Sequence, residues 1–125
     1  NPAEPARAAP ARIAAGGAGV LAVGLGPADL DGVMAPPPRA CAFARFAEVT
    51  PVLVAQLAPD VVIAPLFGRG FDVVDIATRL AECGFAGRLY ALSPPLPRPE
   101  AVRAEVAEQA PGMTFGLVVR AKTGG

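Results

Sequence analysis

Residues 59–65 read PDVVIAP, and residues 71–80, after a glycine loop, read FDVVDIATRL. The first run is short, β-branched and uncharged after Asp60, the pattern of a strand buried on both faces of a parallel sheet. In the second, Val73, Ile76, Ala77 and Leu80 recur at helical spacing. Asp72 stands at its cap position and Gly84 follows as a stop. A buried strand, a glycine loop and an amphipathic helix in succession form the first half of a βαβ unit.

Working outward, the same alternation continues in both directions. Upstream, VLAVG at 20–24 is a short apolar run ending in glycine, and CAFARF at 41–46 is a second strand candidate. Residues 28–34 have room for one or two helical turns before the triple proline Pro36-Pro37-Pro38 stops them. Thr50-Pro51 opens a helix over Pro51–Leu57, with Thr50 as cap and Pro51 where a missing N–H costs nothing. Pro59 ends that helix at Ala58. Downstream, RLYALS at Arg88–Ser93 is a strand, 99–110 a helix and TFGLVV at Thr114–Val119 a final strand. Strands alternating with short helices predict an α/β fold with an open parallel five-stranded sheet and right-handed crossovers. Residues 1–18, rich in proline and alanine, read as a linker or arm, 19–120 as the domain and 121–125 as a frayed tail.

Composition removes several function classes. Eleven basic residues balance eleven acidic ones, which argues against a general binder of nucleic acid or anionic membrane. The absence of histidine removes imidazole as base, ligand or pH switch. Cys41 and Cys83 are too few for a disulfide scaffold and lie too far apart in sequence for a CxxC site, so they read as buried, reduced thiols of a cytoplasmic protein. The apolar stretch 16–30 is interrupted by glycines and falls short of the ~20 apolar residues of a membrane span. With no initiator Met at position 1, the expectation is a piece of a longer chain.

The stretch 41–119 resembles the receiver domain of bacterial two-component response regulators. The resemblance rests on PDVVIAP at 59–65, FDVVDIATRL at 71–80 and RLYALS at Arg88–Ser93, whose serine ends the fourth strand. It implies a flavodoxin-like sheet of strand order 2-1-3-4-5 and a pseudo-receiver, because the functional positions depart from the pattern. Pro65 stands where a receiver carries its phosphoacceptor aspartate, and proline has no nucleophile. Gly24-Leu25-Gly26 occupies the place of the acidic pair that holds Mg²⁺, and glycine has no side-chain oxygen to offer. Arg120 and Lys122 fall out of register with the expected lysine, leaving only Ser93. The implied protein is not an enzyme, and no cofactor or metal is expected.

Two readings from different classes follow. The first is a non-catalytic signalling or regulatory module that binds a protein partner or itself. Its short first helix and missing last helix leave one sheet face under-covered, with Phe115, Leu117 and Val119 on the edge strand and Pro95, Leu96 and Pro97 in a stiff loop as interface candidates. The second is a small nucleotide- or ligand-binding domain using the strand-end loops, with Gly24, Gly26, Gly68, Arg69 and Gly70 as candidates. The simpler reading of each is a structural turn: Gly24-x-Gly26 lacks the third glycine of a dinucleotide fingerprint, and Asp29 in that place would repel a pyrophosphate.

Overall fold

The computed structural model describes residues 12–120; the arm's residues 1–11 and the tail 121–125 lie outside them. Among the described residues there are seven strands: β1 (Gly19–Val23), β2 (Ala40–Ala44), β3 (Val61–Pro65), β4 (Phe67–Gly68), β5 (Phe71–Asp72), β6 (Arg88–Ser93) and β7 (Thr114–Val119). Three α-helices intervene: α1 (Pro51–Leu57), α2 (Val73–Glu82) and α3 (Pro99–Gln109). The main sheet has five parallel strands in the order β2-β1-β3-β6-β7, the open flavodoxin-like arrangement. The expected first helix is only a 3₁₀ turn at Pro27–Leu30. Residues 67–71, read as a plain glycine loop, instead fold back as the antiparallel pair β4–β5.

Local chemistry explains the helix boundaries. Thr50 caps α1 by accepting from Leu53 N–H, and α1 closes on Ala58 in the left-handed region. Asp72 and Asp75 cap α2 reciprocally, each carboxylate accepting the other's backbone N–H. At the opposite end of the sheet from these loops, the Asp60 carboxylate accepts Gly19 N–H at 2.9 Å and ties β1 to the start of β3.

All three helices pack on one face. There Leu21, Val23, Val62, Ala64, Leu89, Ala91 and Leu117 meet Val54, Val73, Ile76, Leu80 and Val106. Leu117 is 0% exposed, and Phe115 packs against the same cluster. This corrects the expectation of Leu117 as an interface residue. A right-handed crossover carries α3 from β6 to β7 over the face toward which the odd-numbered residues of β7 point. Val119 remains exposed at the strand's end, as do Pro95 and Pro97, while Leu96 is half-buried against the core.

The second face carries Val20, Ala22, Val61, Ile63 and Val118, and no α-helix covers it among the described residues; the 3₁₀ turn Pro27–Leu30 reaches it through Leu30. Ordered structure begins before the expected Gly19: Ile13, Ala15 and Ala18 are buried there with Leu30 and Val33. Ile13 N–H donates to Val33 carbonyl at 2.6 Å and Ala35 N–H donates to Ile13 carbonyl at 3.0 Å, a parallel bridge to Met34. The Arg88 guanidinium donates to Ala14 carbonyl at 3.1 Å. The cover is incomplete: Cys41, Tyr90 and Leu92 are half-buried, and Phe43 on edge strand β2 is 44% exposed. Gly116 makes room for the Tyr90 ring, which would lie 2.8 Å from any Cβ there. No helix among the described residues is long and apolar enough to cross a membrane.

Ile13, 1% exposed, is the largest buried side chain among the described residues ahead of β1. Ile13→Ala should therefore lower unfolding free energy by about 2–4 kcal/mol, read from urea denaturation. A loss within about 0.5 kcal/mol would place it in the range of surface substitutions and refute a core role for the segment.

Candidate functional site

Strand order reverses direction at β1 and β3, and in open α/β sheets the loops leaving such a pair diverge to opposite faces and open a crevice. Here the crevice is a cleft of about 780 Å³ lined by the ends of β1, β2 and β3 and by the β4–β5 hairpin. Its wall includes Gly24 and Leu25 after β1, Arg45 and Phe46 after β2, Pro65 closing β3, and Phe67, Gly68, Arg69 and Phe71 from the hairpin.

Phe71 organises this region. Its ring lies where a side chain on Gly24 would come within 2.8 Å, and it covers Gly68 so closely that a Cβ there has no space. The ring stacks on Phe46 with centroids 4.9 Å apart and planes 17° from parallel. Arg79 from α2 lies over Phe46, 4.5 Å from its centroid, and donates to Val49 carbonyl at 3.1 Å. The result is a fixed stack of guanidinium and two phenyl rings. Phe67 does the opposite: it projects from the hairpin and is 71% exposed.

The polar groups divide into engaged and free. Asp29 accepts Gly26 N–H at 2.7 Å, capping its own 3₁₀ turn. Arg45 pairs with Glu48 at 3.5 Å on the surface, and Glu48 also accepts Arg45 N–H at 2.7 Å. These hydrogen bonds, the backbone one first, hold the Glu48 carboxyl below its ordinary value. Arg69 makes no ion pair among the described residues.

Gly24, Gly68 and Arg69, expected as ligand-loop residues, meet in this one cleft, with Pro65 from the receiver-site positions. Gly26 and Gly70 lie outside its wall; Gly70 supplies the hairpin turn with φ +78°. Ser93 does not join them. It is 2% exposed, and its hydroxyl donates to Pro94 carbonyl at 2.6 Å. The sequence reading missed Phe46, Phe67 and Phe71, although three of the six phenylalanines flank these strand-end turns. Their clustering there was the available signal.

Cys41 and Cys83 are free and half-buried rather than fully buried. Burial pushes both thiols above the ordinary value. Among the described residues no three His, Cys, Asp or Glu side chains group as a metal-binding set. No family model, curated protein or solved structure matches the chain.

Gly68→Ala should cost about 1–3 kcal/mol, because its methyl displaces the Phe71 ring. In a Phe71→Ala background the same change should be near neutral. Additive losses in this double-mutant cycle would show that the two positions do not share a contact. A raised thiol pKa means less thiolate at neutral pH, so both cysteines should react with a disulfide reagent more slowly than a free thiol and accelerate as pH rises. Reaction at the rate of an unperturbed thiol at pH 7 would contradict the effect of burial.

Proposed function

We propose that the chain is a non-catalytic, receiver-like interaction module, signalling or regulatory in role and working in the cytoplasm. The observation that carries this reading is the chemistry at the ends of β1 and β3. Gly24 and Pro65 offer no side-chain oxygen or nucleophile, and the Phe71 ring packs against Gly24 from the hairpin. A phosphoryl-accepting site needs a carboxylate to attack and further carboxylates to hold Mg²⁺. An aromatic plug at the same place favours recognition over reaction. Phe67 and the partly exposed Phe43 supply the apolar contact area that such recognition uses.

Incubation with acetyl phosphate and Mg²⁺ should leave the intact mass unchanged. Stoichiometric addition of an acid-labile phosphoryl group to any aspartate would overturn the reading. A photoreactive benzoylphenylalanine at position 67 should capture a discrete protein, or a second copy of the chain, in native extract. The same group at exposed position 105 on α3 should not. Equal capture from both positions would remove the hairpin as a contact surface.

A second reading, a small-ligand site, is favoured by one specific observation. The cleft sits at the reversal of strand order, and its 780 Å³ falls in the size range of small-molecule pockets. A ligand that binds only the folded state raises the melting temperature, so a thermal-shift screen with nucleotides and acyl phosphates separates the two readings.

A further inference from the structure

Resting on that second reading, we propose that the cleft binds a planar aromatic anion: a ring system bearing a carboxylate or a phosphate ester. The ring would lie on Phe67, and the anionic group on Arg69 with Arg45 in support. Three features of the cleft select this class. Its lining includes an apolar stack, Phe71 on Phe46, together with Pro65. Phe67 holds a phenyl face in solvent on the rim, where a flat ring would remove apolar area from water on both partners.

The third feature is charge. Two guanidiniums and one carboxylate line the cleft, and that carboxylate, Asp29, is already accepting Gly26 N–H. The Arg45–Glu48 pair is exposed, with Arg45's side chain 82% accessible, so it contributes little and is readily exchanged for a ligand anion. Arg69 has no acidic partner among the described residues and stands beside Gly70 at the hairpin turn, two positions from Phe67. An arginine fork matches a carboxylate or phosphate through paired N–H donors. A neutral ring would forgo that contact, and a small inorganic anion would forgo the aromatic one.

The test is an amide-resolved NMR titration of the 125-residue chain with naphthoate, naphthyl phosphate and the neutral naphthamide. Saturable shifts at Gly24, Gly68 and Arg69 are expected with at least one anion, and the stronger of the two identifies carboxylate or phosphate ester as the preferred group. Naphthamide should bind at least about tenfold more weakly. Arg69→Gln should weaken the anion severalfold without weakening naphthamide, and Phe67→Ala should weaken all three. Both positions are exposed, so the variants should keep the parent melting temperature. Equal binding of naphthamide and the anions would refute the anionic class while leaving a small-ligand cleft in place. No saturable shift with any probe, or shifts away from the cleft, would overturn the proposal, and the small-ligand reading falls with it only when the screen of nucleotides and acyl phosphates also gives no thermal shift.

Discussion

Five parallel strands with α1, α2 and α3 all on one side impose the constraint that organises this molecule. β1 and β3 are central, and their side chains alternate between a face covered by α-helices and a face that no α-helix reaches among the described residues. Val20, Ala22, Val61 and Ile63 would otherwise stand in water, and each large side chain left exposed forgoes about 1.5–3 kcal/mol of burial. The segment ahead of β1 covers them with Ile13, Ala15 and Ala18, held by backbone bonds to residues 33–35. Cover without a helix is thin, which is why Tyr90, Leu92 and Phe43 remain partly accessible at the margins.

The strand-end cleft follows from the same topology. Because β1 and β3 lead into loops on opposite faces, a crevice opens between them. In this chain the β4–β5 hairpin leans over it and places Phe71 against Gly24. Glycine at 24 and 68 is a steric requirement there: the ring takes the volume that side chains would need. Gly24 and Pro65 leave the ends of β1 and β3 without a side-chain carboxylate, and the Phe71 phenyl ring takes the space beside Gly24. Phe67 and Arg69 then supply an exposed apolar face and a cation on a tight turn.

The fold was largely legible from residue order. Thr50-Pro51, Asp72 and Gly84 mark helix ends because their cap and turn chemistry is local. Arg88–Ser93 and Thr114–Val119 were bounded by proline and glycine turns that no strand continues through. Of the site, Gly24, Gly68 and Arg69 were legible because short glycine loops at strand ends are where this architecture gathers ligands. Gly26, Gly70 and Ser93 fell outside the cleft because loop position in sequence does not specify the path the backbone takes past it. Ser93 bonds its own loop instead.

The sequence by itself determined the alternation of strands and helices and the lack of a carboxylate at Gly24 and Pro65, because both depend on residue type and spacing over a few positions. Only the tertiary structure decided which face each strand residue serves. Strand periodicity separates Leu117 from Val118 but does not say which one meets α3. It also decided that IAAGGA at 13–18 is core cover. That run has neither helical nor strand periodicity, and its burial arises from backbone hydrogen bonds to residues 33, 35 and 39 and from a sheet face that strands β3 and β7, distant in sequence, complete. The Phe46–Phe71 stack is likewise a product of the fold: residues 25 positions apart meet because β2 and β3, which leads into the hairpin, end at the same carboxyl end of the sheet.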